Sequence, residues 1–188
     1  MGSLSSSERI RFIEALQKLH QKSDVDDDSK YDGYARLHEA NSRQAHGQPQ
    51  FLPWHRQYIR NLEKDLQEID PSVVLPYWDW SKDYEDPHDS YIFQSAFMGG
   101  NGVDRQSCVE DGPFKSWIMA TPISHCLSRD FDGGDSISPF VSPRVISQLL
   151  RIRDFSKFSE RLEVVHGAIH VNIGGTVGDL APMWSPNE

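Results

Sequence analysis

The chain has 188 residues, a formal net charge of −9 and 37% hydrophobic residues, values that fit a single globular domain over residues 1–188. The negative charge disfavours nucleic acid or an anionic membrane as the main partner, because both carry charge of the same sign. No stretch approaches the roughly 18 consecutive apolar residues of a membrane-spanning helix. The first residues also lack the basic and apolar segments of a secretory signal. We therefore expect either an intracellular protein or one whose natural N-terminus, with a signal, lies outside this sequence.

The first predicted elements are helical. Residues 5–20 have a helical stripe of apolar side chains, with Ser5 and Glu8 spaced as a capping box. Residues 31–40 form a second, shorter predicted helix. Residues 54–69 repeat apolar positions with helical period, with Pro53 as the first residue of the helix and Pro71 after its end.

The chain then loses periodicity from residue 81 to residue 139, where glycine, proline, serine and aspartate are frequent. This composition predicts a long, loop-rich segment with only short helices or strands. A further helix is expected after Ser142 and Pro143, and a last one over residues 154–171, ended by Gly174 and Gly175. The predicted fold class is mainly α: a helical bundle with long irregular loops, in which facing helices can hold a metal site.

Two other sequence patterns are a pair of cysteines and a run of acidic residues. Cys108 and Cys126 could form one disulfide in an oxidising compartment or remain two free thiols. The acidic run DVDDD at residues 24–28 is interpreted as a solvated loop. It lacks the alternate spacing and distal glutamate of a calcium-binding loop.

Five histidines carry the strongest indication of chemistry. His38, His46 and His55 lie on three different local elements and can therefore converge on one ion. His166 and His170 are four residues apart in a predicted helix, so both rings project from one face. Imidazole suits copper, zinc, iron and nickel. The alternative for any one of these residues is an ordinary core or surface histidine.

The residues around His166 narrow the choice of chemistry. A zinc protease of this type needs glutamate directly after the first histidine as general base, whereas this chain has Gly167. Glu163 lies three residues before His166, on the same helical face. It could orient a ligand or a bound water, or it could be an exposed surface carboxylate. The remaining histidines, His20, His88 and His125, match no ligand motif.

Several blocks of sequence together resemble the tyrosinase family, which includes tyrosinases, catechol oxidases and the oxygen-carrying domains of molluscan haemocyanins. The blocks are YDGYARLH at 31–38, FLPWHR at 51–56, LPYWDW at 75–80, HGAIH at 166–170 and WSPN at 184–187. The loop around Cys108 and the block HCLSR at 125–129 look most like fungal members.

The resemblance implies a centre of two copper ions, each held by three histidines, that uses dioxygen to oxidise a phenol or o-diphenol to an o-quinone. Carried over by motif, His38, His46 and His55 hold the first copper, and His166 and His170 hold the second. The family's sixth histidine follows the motif that begins near Asn187, and the sequence ends at Glu188. We therefore expect the last part of the domain, with that ligand, to lie outside this sequence.

The resemblance does not decide between the activities found within the family. True tyrosinases often have asparagine after the first ligand of the second site, where this chain has Gly167, which favours oxidation of diphenols over hydroxylation of monophenols. The expected partners are a small phenolic substrate and dioxygen, with Glu163 as the candidate catalytic residue. The alternatives are a haemocyanin-like oxygen-binding domain and an inactive remnant with copper at the first site only. The oligomeric state is not predicted.

Overall fold

A computed structural model describes residues 4–22 and 28–180. Its regular structure is mainly helical, which confirms the predicted fold class. The helices and the two short strands, in chain order, are α1 (Ser6–Leu19), α2 (Lys30–Ala40), α3 (Ser42–Ala45), α4 (Phe51–Ile69), β1 (Ile118–Met119), β2 (His125–Cys126), α5 (Pro143–Leu149) and α6 (Phe155–Gly174).

Helix α1 forms as its sequence predicts. Ser5 and Glu8 make the reciprocal hydrogen bonds of a capping box, which satisfy backbone N–H groups that have no partner within the helix. The apolar stripe of α1, including Leu16, is buried against α4, whose Leu62 and Leu66 belong to the same core. This packing fixes the position of α4, which carries one of the candidate ligands.

Helix α4 begins earlier than predicted, at Phe51 instead of at Pro53. Pro53 is therefore the third residue of the helix, where its missing N–H costs nothing because the first turn has no intrahelical acceptors for these donors. As a result His55 lies within the helix proper, and the backbone carbonyl of Phe51 lies one turn before it. This carbonyl becomes important for the orientation of the His55 ring.

The segment between α4 and α5 is irregular, as predicted. Its regular structure among the described residues is limited to four single-turn 3₁₀ helices and the antiparallel pair β1–β2. Cys108 and Cys126 form a disulfide, so the disulfide is the alternative that the structure supports. Val109, Phe114 and Leu127 from this segment are buried, and thus the loop contributes to the core.

The last two helices differ in how well the sequence predicts them. Helix α6 begins after Asp154, whose side chain accepts a hydrogen bond from the N–H of Lys157. It ends at Gly174 and is capped by Gly175, which has a φ of 52°. Helix α5 buries only Leu149. The sequence predicts one apolar face for this helix, formed by Val145, Ile146, Leu149 and Leu150. This prediction is wrong in part, since Val145 and Leu150 are exposed.

Within the two described ranges, no helix is both long and apolar enough to cross a membrane.

Candidate metal centre

Three imidazoles converge where α2, the end of α3 and the start of α4 meet. His38 lies in α2, His46 follows the last residue of α3, and His55 lies in α4. One ring nitrogen from each lies within 4.8 Å of the others. The Nε2 atoms of His38 and His55 are 3.3 Å apart, and two nitrogens bonded to one ion at about 2 Å can be at most about 4 Å apart. The three side chains can therefore share one ion after an inward movement of less than about an ångström.

Backbone carbonyls set the orientation of two of these rings. The Nδ1–H of His46 donates to the carbonyl of Ser42 at 3.0 Å, and the Nδ1–H of His55 donates to the carbonyl of Phe51 at 2.8 Å. A neutral ring that donates through Nδ1 keeps a lone pair on Nε2. The Nε2 of His46 is buried and has no hydrogen-bond partner among the described residues, as a nitrogen reserved for a metal would be.

The second histidine group lies on α6. The Nε2 atoms of His166 and His170 are 2.8 Å apart, and the Nδ1–H of His170 donates to the carbonyl of Leu180 at 2.9 Å. This pair borders the first group, since the ring centroid of His166 is 6.0 Å from that of His55. All five predicted histidines are therefore brought into one region of the fold, in two sets of three and two.

Burial keeps three of these imidazoles neutral. Desolvation is the main cause that lowers the pKa of His55, His166 and His170, and the pKa of His166 falls to about 3. The neighbouring histidines add to this effect, because a second positive charge close by is unfavourable. At neutral pH these rings offer lone pairs instead of protons, which metal binding requires.

Aromatic side chains of the block at 51–56 pack against the first group. Trp54 stacks on His38 with ring centroids 5.5 Å apart, and Phe51 lies 4.7 Å from His55. His38 is 1% exposed. These contacts restrict the rotamers of the ligands and shield His38 from water.

Glu163 lies close to the first group, although it belongs to α6. Its Oε1 accepts a hydrogen bond of 2.6 Å from the backbone N–H of Gly47, the residue after His46. It is half-buried. Glu163 thus ties α6 to the loop that carries His46.

The other three histidines occupy separate places. His20 stacks on Trp117 and bonds to the carbonyl of Ile118. His125 bonds to Asp179, and His88 lies beside Asp89 at the surface. None of the three belongs to either histidine group, in agreement with the sequence.

Sequence reasoning missed the backbone carbonyls that orient the ligands. Two of them lie four residues before their histidine, at Ser42 and Phe51, which is the spacing of a helical turn and could have been recognised. The carbonyl of Leu180 has no such indication, because it follows the helix end. The block WSPN at 184–187 lies outside the described residues.

Two cavities border the histidines. One, of about 470 Å³, has mostly apolar walls and is lined by His166, Ile169 and His170, within the size range of small-molecule sites. The other, of about 270 Å³, is lined by His55, His166 and Trp80 among others. A small aromatic molecule can therefore approach both histidine groups.

The donor set fits copper. Five neutral or buried imidazoles, no cysteine and no carboxylate in bonding position among the described residues suit a borderline-soft ion such as copper. Together with the helical scaffold, these residues form a histidine-rich candidate metal centre in a protein of the α-helical class.

The comparisons specify the family. The family model for the common central domain of tyrosinase matches residues 28–188. A tyrosinase from Streptomyces antibioticus is 37% identical over 100% of this chain and 74% of its own length, and a grixazone synthase from Streptomyces griseus is 36% identical over 99% of this chain and 76% of its own length. The chain belongs to the tyrosinase family and is an oxidoreductase of the tyrosinase or catechol oxidase type. The likeness is not limited to fungal members, since both relatives are from Streptomyces.

A solved structure agrees on the fold. A mutant of the polyphenol oxidase from Thermothelomyces thermophila superposes with a TM-score of 0.79 at 22% identity, and the match covers 99% of this chain. The chain spans 64% of the length of that polyphenol oxidase. At this identity the likeness supports the helical architecture alone.

Proposed function

We propose that this protein is a copper-dependent oxidase that converts o-diphenols to o-quinones with dioxygen. The observation that carries the proposal is the convergence of His38, His46 and His55 beside His166 and His170, next to cavities of suitable size. In this proposal residues 1–188 belong to one copper-binding domain. The first three histidines hold one copper, and the pair on α6 contributes to the second.

Bound copper supplies the electron transfer between the diphenol and dioxygen. Two diphenols lose four electrons and four protons in total, and one dioxygen becomes two waters. The chain provides the geometry for this exchange. The carbonyls of Ser42, Phe51 and Leu180 hold the rings of His46, His55 and His170 with Nε2 directed away from them. Trp54 and Phe51 pack against the rings of the first group.

Glu163 is proposed to orient a water near the site. Its Oε1 is occupied by the N–H of Gly47, and therefore Oε2 is the oxygen that can accept a proton or a water hydrogen bond. Burial lowers the pKa of His55, and the negative charge of Glu163 opposes this shift in part, so the carboxylate acts on the first histidine group through space.

We propose that diphenols are preferred to monophenols because Gly167 offers no side chain next to His166. A Cβ at Gly167 would meet nothing within 4 Å, so this position borders open space. A hydrogen-bonding side chain that could help to deprotonate a monophenol is missing at this point.

Substrate access favours catalysis over oxygen transport. The cavity lined by His55, His166 and Trp80 leaves room for an aromatic ring, whereas an oxygen carrier needs to admit only dioxygen. Quinone formation is therefore the expected result of oxygen uptake in the presence of catechol.

The test is catechol turnover by copper-loaded protein, measured as quinone absorbance and oxygen consumption, for wild type, His46→Ala and the control His88→Ala. His46→Ala should lose copper affinity at the first group by more than about 100-fold and lose turnover with it. His88→Ala should keep both, because His88 lies outside the histidine groups. Wild-type copper content and turnover in His46→Ala would contradict the proposal. Reversible oxygen uptake without quinone would favour a carrier.

A further inference from the structure

The chain returns to His170 after helix α6 has ended. The helix ends at Gly174, and the following residues bring the carbonyl of Leu180 back to within 2.9 Å of the Nδ1 of His170. This hydrogen bond selects the tautomer with a proton on Nδ1 and a lone pair on Nε2. The position of one backbone carbonyl outside the helix therefore determines which nitrogen of the His170 ring carries the proton and which has the free lone pair.

The side chain next to this carbonyl anchors it. The carboxylate of Asp179 is 1% exposed. Its Oδ2 accepts the backbone N–H of Ser128 at 2.7 Å, and its Oδ1 accepts the Nε2–H of His125 at 2.7 Å. The backbone N–H of Asp179 in turn donates to the carbonyl of Ser128 at 3.0 Å. Asp179 thus fastens the segment after α6 to the loop that follows β2.

His125 is suited to pair with this carboxylate as a cation. Its Nδ1 is 2.6 Å from the carbonyl of Ile123, and its Nε2 is 2.7 Å from Asp179. Both neighbours are acceptors, so both nitrogens must donate, which only the protonated ring can do. Burial is the largest single influence and lowers the pKa of His125. The hydrogen bonds to Asp179 and to the carbonyl of Ile123, together with the negative charge of Asp179, outweigh it, and the pKa is raised.

The disulfide holds this histidine in place. His125 directly precedes Cys126, which is bonded to Cys108. Cys108 also pairs with Ser128 in an isolated β-bridge. The two groups that bind the Asp179 carboxylate therefore belong to one cross-linked part of the loop.

We propose that Asp179 is a positioning residue for His170: its bonds to Ser128 and His125 hold the Leu180 carbonyl where it orients the second-site ligand. The proposal rests on the proposed function for the copper role of His170, but the orientation of the ring exists without copper. The contribution of Asp179 acts through the Leu180 carbonyl and not by contact with substrate or metal.

The test follows the tautomer of His170 in the metal-free full chain by ¹⁵N NMR of labelled histidine, for Asp179→Ala, Asp179→Asn and the control Asp130→Ala. Asp179→Ala should move His170 from a single Nδ1–H tautomer to a mixture. Asp179→Asn should restore the wild-type state, since its amide oxygen can accept from Ser128 and its amide N–H can donate to a neutral His125. Asp130 binds the same segment after α6, at Thr176. Asp130→Ala should leave the tautomer of His170 unchanged.

A second readout is a titration with cuprous ion against a chelator, followed separately at the signals of His46 and His170. Asp179→Ala should weaken binding at His170 about 10-fold and leave binding at His46 unchanged. If Asp179→Ala does not fold, His125→Ala replaces it in the test. In that variant the Asp179 carboxylate keeps only its bond to Ser128, and the tautomer of His170 should shift in part.

An unchanged His170 tautomer in folded Asp179→Ala, or in His125→Ala where Asp179→Ala does not fold, would overturn the proposal, and so would an equal shift in Asp130→Ala. A third outcome is that wild-type protein binds no copper at His170 while Asp179→Ala shows the predicted tautomer shift. That result would contradict the proposed function and support the role of Asp179.

Discussion

The rings of His55 and His166 have centroids 6.0 Å apart and planes inclined at 67°, although the first lies near the start of α4 and the second late in α6. This contact joins the two histidine groups. Because α4 is held in place by its packing on α1, the position of His166 relative to the first group depends on how α6 is anchored. Two of its side-chain anchors among the described residues are Glu163 at the middle of α6 and Asp179 after its end.

The first prediction concerns the charge of Glu163. In Glu163→Gln the amide oxygen can still accept the N–H of Gly47, so the loop of His46 should stay in place while the charge is lost. We expect kcat for catechol to fall about 100-fold with copper content unchanged. Glu160→Gln, one turn earlier on α6 and exposed, is the control and should keep wild-type turnover. Wild-type kcat in Glu163→Gln would show that the carboxylate only has a structural role.

The second prediction concerns Gly167. The space around this residue accommodates a larger side chain, so Gly167→Asn should fold normally. An amide placed beside His166 can hydrogen-bond a water or a phenol, and we expect the ratio of monophenol to diphenol turnover to rise several-fold. The control is Ala168→Asn, at the next and exposed position of α6. A ratio that is the same in both variants would contradict the proposed cause of the diphenol preference.

The third prediction concerns the disulfide. Cys108 and Cys126 are 18 residues apart, and closing a loop of this length stabilises the folded state by about 3 kcal/mol in the chain-entropy account. The double variant Cys108→Ser, Cys126→Ser should lose about that much free energy of unfolding in urea. Reduction of the wild type should reproduce the loss. If neither treatment changes the urea midpoint, the cross-link does not stabilise this loop.

The fourth prediction concerns pH. The pKa of His125 is raised in the folded state above an unfolded value of about 6.5. The stabilisation from its pair with Asp179 is therefore fully present below about pH 6.5 and is lost as the pH rises through the folded pKa. Urea unfolding at a series of pH values should show the difference between wild type and His125→Ala shrinking as the pH rises. A difference that grows with pH would contradict a cationic His125.

The elements that sequence predicts well depend on local interactions. The capping box of Ser5 and Glu8 and the helix end at Gly175 involve residues a few positions apart, so spacing alone reveals them. The helical spacing of His166 and His170 places both on one face for the same reason. The convergence of the first three histidines was inferred from their number and context, and family resemblance then gave them a role.

The features that sequence could not predict depend on contacts between distant segments. Val145 and Leu150 are exposed because burial depends on which other segments pack against α5. An apolar pattern in the sequence does not specify those segments. The early start of α4 depends on a proline tolerated within the first turn. The bonds from Asp179 to His125 and Ser128 join segments about fifty residues apart, and neither histidine motif indicates them.

The most direct test of the two histidine groups as copper ligands is anomalous diffraction at the copper edge from crystals of copper-loaded protein. If both histidine groups bind copper, we expect one strong peak within bonding distance of the Nε2 atoms of His38, His46 and His55. We expect a second peak beside the Nε2 atoms of His166 and His170. Absence of the first peak from copper-loaded crystals, or copper bound only elsewhere on the chain, would contradict the account.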